Sequence, residues 1–174
     1  FHNDYQKWPH KHSVYHVKSS YKLMVDNLMD MTHLAYVHKS TIGGGTASTH
    51  VEAKTKVTPK DTGLHYIRWM LDSPPPPTYS KAVSFQGHVD RWQEFEFLAP
   101  SNIVQWSGAL DVGRNALENR DQDGGFSLRL FHGLTPETET SCFYFWSTCN
   151  GYRQDDPQAT EQLFEEISRA FKER

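Results

Sequence analysis

The 174-residue chain is long enough for one sizeable core, and 37% apolar residues with five Trp, eight Tyr and ten Phe are too aromatic for a disordered chain. No apolar run approaches the roughly 18 residues of a membrane span, and the opening Phe1-His2-Asn3-Asp4-Tyr5-Gln6-Lys7-Trp8 does not read as a signal peptide, so neither a membrane nor an exported location is expected. Lys and Arg number 18 against 21 acids, a net charge of −3 with no basic tract, which argues against nucleic acid as a partner.

In chain order, Ser13 to Val25 is rich in β-branched and aromatic residues and reads as a strand, with a break at Ser19-Ser20. Asp26 or Asn27 offers an N-cap for a helix running to about Val37, and Gly43-Gly44-Gly45 marks a turn. The pattern then becomes β. Val51, Ala53, Thr55 and Val57 alternate with polar residues, Pro59 to Gly63 turns, and Leu64 to Leu71 is the next strand. Pro74-Pro75-Pro76-Pro77 cannot join a ladder and is expected as a stiff extended loop. Strands follow at Ala82–Gly87, Trp92–Leu98, Ile103–Val112, Phe126–Leu134 and Ser141–Thr148, with Asn119 to Gly125 as an exposed turn. The last element is a helix: Asp156 can cap it, Pro157 suits its first position, and Leu163, Phe164, Ile167, Ala170 and Phe171 form one apolar stripe. An antiparallel sheet of this size must bury one face, and the last helix is its natural cover, which makes the chain an α+β, helix-on-sheet domain.

Ten histidines are present, six of them (His2, His10, His12, His16, His33, His38) within the first 38 residues, but only two cysteines, Cys142 and Cys149. A four-cysteine zinc or iron–sulfur site is therefore excluded within the chain, and any metal must be held by histidine and carboxylate. The His10, His12 and His16 spacing suits no closed site, and these three read as solvent-exposed or linker residues. The run Asn27-Leu28-Met29-Asp30-Met31-Thr32-His33-Leu34-Ala35-Tyr36-Val37-His38 is more specific. At about 100° per residue, Asn27, Asp30 and His33 share one side of a helix, whereas His38 falls about 140° away from it. The two imidazoles can share an ion only if the helix is distorted or His38 lies past its end. Two neutral imidazoles and a carboxylate on one octahedral face suit non-haem Fe(II) and oxygen chemistry. The competing reading makes His33 and His38 ordinary half-buried histidines and Asp30 a solvated helix acid.

This run resembles the N-x-x-D-x-x-H-x4-H motif of Rieske non-haem iron oxygenase α subunits. Their vanillate O-demethylase-like branch is also matched by Arg68-Trp69-Met70 with the proline run, by Asp90-Arg91-Trp92, by His132-Gly133-Leu134-Thr135-Pro136-Glu137-Thr138-Glu139-Thr140 and by Asp155-Asp156-Pro157. The resemblance spans nearly the whole chain, residues 1–174, as one mononuclear iron catalytic domain. It implies a helix-grip fold whose sheet wraps a C-terminal helix. It implies His33 and His38 as Fe(II) ligands, Asn27 near the iron, and Asp30 as the acid linking that iron to the Rieske [2Fe-2S] cluster of a neighbouring subunit in a head-to-tail homotrimer. His132 matches a position facing an aromatic substrate, as does Gln105; a strand histidine satisfied within the sheet is the alternative for His132. The expected partners are O2, a reductase or ferredoxin passing electrons from NAD(P)H, and an aromatic small molecule, in the cytoplasm. The family's cluster-binding C-x-H and C-x2-H pairs do not occur here, and its third ligand, an aspartate, is expected past Arg174; Asp155 and Asp156 match helix-opening acids instead. Alone, the chain is then expected to bind iron weakly and not to turn over. The rivals are a metal-free helix-grip carrier of a hydrophobic ligand and a truncated, non-catalytic subunit.

Overall fold

The structure, a computed structural model, describes residues 2–45 and 52–173. Seven strands form one antiparallel sheet: β1 (His10–Val17), β2 (Lys54–Lys60), β3 (Gly63–Ser73), β4 (Val89–Leu98), β5 (Asn102–Asp111), β6 (Phe126–Thr138) and β7 (Ser141–Asn150). Their order is β1-β7-β6-β5-β4-β3-β2, a meander from β2 to β7 closed by the first strand. β2 forms one edge, is exposed throughout and carries Pro59, as suits a strand whose outer side has no ladder to complete.

The other elements are helical: α1 (Tyr21–Met29), the single turn α2 (Leu34–Val37), α3 (Pro77–Ala82) and α4 (Pro157–Ala170). α4 opens as its sequence demands, with the Asp156 carboxylate accepting from the Gln158 amide at 2.9 Å and Pro157 in the first turn. Its Ala159, Leu163 and Ile167 bury against Leu128, Leu130, Leu134, Tyr144 and Trp146 of the sheet. The α+β helix-grip expectation is thus borne out. Across the opposite face, Trp92 and Leu110 bury beneath Ala116, and the Arg120 guanidinium lies 4.0 Å from the Trp106 ring. Among the described residues no helix is long and apolar enough to cross a membrane.

Three local expectations need correction. The first strand ends at Val17, and α1 begins at Tyr21 with the Ser20 hydroxyl as its cap, accepting from the Lys22 amide. Asp26 and Asn27 therefore lie inside a helix and cap nothing; the apolar run Tyr21 to Val25 fits either period, and packing of Tyr21, Met24, Val25 and Leu28 against the core decides for the helix. Ala82–Gly87 is not a strand, because the last proline of the run opens α3, which extends to Ala82. His12 and His16 are solvent-exposed, as expected, and His10 is half-buried, but all three lie on β1 and not in a linker. The expected strand start at Val51 lies outside the described residues, and the strand they show begins at Lys54.

Candidate functional site

The long helix expected over Asn27 to Val37 is broken in its middle. The Asp30 carboxylate accepts from both the Thr32 amide (2.7 Å) and the Thr32 hydroxyl (2.6 Å), so the backbone leaves the helix at Asp30 in an extended conformation. The chain re-enters for one turn, with His33 immediately before Leu34 and His38 immediately after Val37. The demand that His38 sit past a helix end is met in this way. The two ring centroids come to 5.3 Å, inclined at 64°. Two imidazoles on one ion at ~2.1 Å from each nitrogen would have centroids about 4.5–5.5 Å apart, so the pair fits a shared ion.

Each ring has a distinct environment. The Nδ1 of His38 lies 3.1 Å from an oxygen of Glu173, whose carboxylate also accepts from the Ser40 and Thr41 hydroxyls. A carboxylate can only accept, so His38 carries its proton on Nδ1 and keeps the Nε2 lone pair. Burial pushes the His38 pKa down, and it stays lowered although the Glu173 bond opposes the shift. Burial raises the Glu173 carboxyl, yet the hydrogen bonds from Ser40, Thr41 and His38 outweigh it and hold the group below its usual range. The Nδ1 of His33 is buried without a hydrogen-bond partner and lies 3.9 Å from Asp30. Asp30 itself is half exposed, and the Thr32 hydroxyl leads the interactions that lower its pKa. Among the described residues no third His, Cys, Asp or Glu joins the pair in a metal-holding group.

The pair opens onto a cavity between α1, α2, α4 and the concave face of the sheet, lined by Asn27, His33, His38, Gln105, His132 and Phe171 among others. Asn27, His33, His38 and Phe171 also border a second cavity on the Glu173 side, so the histidines stand in the wall between the two. Strand alternation aims Gln93, Gln105, Ser107, Leu128, Leu130 and His132 inward. His132 is 2% exposed; its Nδ1 lies 2.7 Å from the Tyr144 hydroxyl and its Nε2 lies 3.2 Å from Gln105 Oε1. Gln105 in turn donates to the Ser107 hydroxyl at 2.7 Å. With an oxygen facing Nε2, the imidazole donates there and accepts from Tyr144. Burial drives the His132 pKa down to about 3, so it is a neutral relay at ordinary pH.

All six residues singled out from the sequence therefore meet at one place: Asn27, His33, His38, Gln105 and His132 in the cavity wall, and Asp30 on the solvent side of His33. Sequence reasoning missed Glu173, Tyr144, Tyr79 and Ser107. The inward polar positions of β4 and β5 could have been found from alternation, because Gln93, Gln105 and Ser107 fall where an apolar residue would serve a plain core. Glu173 could not, since nothing local links residues 135 apart in sequence. Cys142 and Cys149 are, as expected, ordinary strand residues, both reduced and buried on β7.

Comparison with known proteins identifies the family of the chain. The chain is 31% identical over 173 residues to the toluene-4-sulfonate monooxygenase system iron-sulfur subunit TsaM1 of Comamonas testosteroni, covering 99% of this chain and 50% of that protein. It is 33% identical over 176 residues to a vanillate O-demethylase oxygenase subunit of Pseudomonas sp., covering 95% of this chain and 51% of that one. It spans about half the length of these curated relatives. Among solved structures, dicamba monooxygenase bound to 3,6-dichlorosalicylic acid superposes with a TM-score of 0.83 at 27% identity, over 96% of this chain and 47% of that one. NdmB of Pseudomonas putida CBB5 shares the fold at a TM-score of 0.61 and 14% identity, over 97% of this chain and 40% of that one. The family described as the vanillate O-demethylase oxygenase C-terminal domain matches residues 17–174, with the paired histidines, the cavity wall and α4 all inside the match, and the chain belongs to it.

Proposed function

We propose that residues 1–174 form the mononuclear iron catalytic domain of a Rieske-type oxygenase that hydroxylates or O-demethylates an aromatic substrate. The observation that carries this reading is the convergence of His33 and His38 at the two ends of α2, on the wall of a largely apolar cavity. His38 would bind through Nε2, the nitrogen its Glu173 bond leaves free, and His33 through a ring held nearby at low exposure. A carboxylate that the described residues do not supply would complete the set. Ferrous iron, when bound there, supplies the activation of O2. The chain's own contribution is positional. Leu28, Met31, Leu34 and Ile42 keep the cavity dry, His132 fixes Gln105 at the substrate position, where the amide keeps a second N–H to donate, and Asn27 borders the metal position. In this reading Asp30, half exposed beside His33, would be the acid that faces the Rieske [2Fe-2S] domain of a neighbouring subunit, in a trimer fed from NAD(P)H by a reductase in the cytoplasm.

A carrier of a hydrophobic ligand would use the same cavity without needing paired imidazoles. Anaerobic titration with Fe(II), or with Co(II) read by its visible bands, separates the two. The wild-type chain is expected to bind one ion, and His33→Ala and His38→Ala are each expected to weaken it at least tenfold while thermal unfolding stays cooperative. Undiminished binding in both variants would overturn the assignment.

A further inference from the structure

One side chain in the cavity wall is a buried amide without a partner. Gln93 lies on the inward face of β4 at 3% exposure and lines the cavity that holds the paired histidines. Its Oε1 is buried without a hydrogen-bond partner, and no described residue bonds its Nε2. The residues directly across the strands from it are engaged elsewhere. Ser107 of β5 accepts from the Gln105 amide at 2.7 Å, and Arg68 of β3 donates to the Met31 carbonyl at 2.7 Å. A primary amide out of water with both ends open lowers stability in a way that Leu or Met at the same place would not. That loss is recovered when a group pairing with the amide fills the cavity.

The wall also limits what that group can be. Among the described residues that line the cavity, none is Asp, Glu, Lys or Arg. Arg68 and Arg91, the cations that flank Gln93 in the sheet, lie outside the lining and donate to the Met31 and Ile42 carbonyls, the latter at 3.2 Å. The open Oε1 requires a donor from the ligand. A carboxylate or sulfonate offers acceptors alone, so it would leave Oε1 unpaired in a wall that has no charge to neutralise its own. An amide or lactam offers an N–H beside a C=O and can pair with both ends of Gln93 at once.

We propose that Gln93 is a specificity-determining residue that binds an uncharged donor–acceptor edge of an aromatic ligand, the N–H and C=O of an amide or lactam, in preference to an anionic group. This deepens the function proposed above and rests on it, in that the bound group is taken to belong to the substrate.

The test uses the metal-free chain and three probes of nearly one shape, benzamide, acetophenone and benzoate, titrated by NMR. Acetophenone keeps the carbonyl of benzamide but carries a methyl in place of its NH2, and benzoate carries a charged oxygen there. The wild type is expected to bind benzamide about tenfold tighter than either of the others. Gln93→Met should remove the preference for benzamide and keep the affinity for acetophenone. It should also raise the thermal midpoint of the empty chain by about 2–4 °C, because an apolar side chain of similar length replaces an unpaired buried amide. Gln93→Leu should do the same. A midpoint lowered in both variants would mark the amide as a structural group and overturn the proposal. So would a wild type that binds acetophenone or benzoate as tightly as benzamide, or a preference that survives in both variants. No probe needs a metal, so failure of Fe(II) to bind in the titration described above would refute the iron assignment and leave this result standing.

Discussion

His132 shows how burial turns a titratable group into a fixed one. Stacked 5.9 Å from the Tyr144 ring and hydrogen-bonded at both nitrogens, it has no room for a second ring proton. Its folded pKa of about 3 lies below the ordinary 6.5, so as pH falls below about 6.5 the unfolded chain takes up a proton that the native one refuses. The stabilisation is complete above that pH and is lost progressively toward pH 3. Between pH 7 and pH 5 this predicts a loss of about 2 kcal/mol that His132→Asn does not share, measured as the difference between urea unfolding curves of the two proteins. His33 and His38 belong to the same scale, but their value lies in direction: Glu173 orients one ring, and the turn at Asp30 aims the other.

At the scale of elements, the decisive feature is the broken helix. Thr32 and Asp30 stop α1 through two short hydrogen bonds, and the single turn of α2 is held from below by Gly43. The Gly43 amide donates to the His38 carbonyl at 2.9 Å, and a Cβ on Gly43 would lie 1.9 Å from the Leu34 carbonyl oxygen and 2.7 Å from that of His38. Gly43→Ala must therefore push α2 away or lift the following loop. We expect it to cost about 1–3 kcal/mol in thermal unfolding and to weaken Co(II) binding, while Gly87→Ala, which meets nothing within 4 Å, should leave metal binding unchanged. The triple glycine was legible as a turn; its close approach to the histidine-bearing helix was not, because that contact depends on where two segments pack.

For the molecule as a whole, α4 and the sheet form one core, and the cavity is the part of that interface left unfilled. Leu163 and Ile167 are each 1% exposed, but only Ile167 lines the cavity that holds the paired histidines, whereas Leu163 borders a separate hollow with Thr78 and Tyr152. Leu163→Ala is expected to cost about 2–5 kcal/mol by chemical unfolding, whereas Ile167→Val, which trims one methylene at the wall, should cost about 0.5–1.5 kcal/mol. The domain's strands, its final helix and the segment that carries its candidate site were readable because period-2 alternation, a capped amphipathic stripe and a twelve-residue motif are local signals. The segments misread, Tyr21 to Val25 and Ala82 to Gly87, are short apolar runs whose period is ambiguous until something packs on them.

By itself the sequence determined that this is a sheet covered by a helix, and it singled out Asn27, Asp30, His33 and His38 as the candidate site. Helical geometry placed His38 on the wrong side of an unbroken helix, and only the folded backbone, turned by Asp30 and Thr32, brings the two rings to 5.3 Å. Tertiary structure alone also joined Glu173 to His38 across 135 residues. The physical reason is the same in each case. Hydrophobic period and capping are written into neighbouring residues, whereas the partner of a buried polar group is chosen by the packing of distant ones.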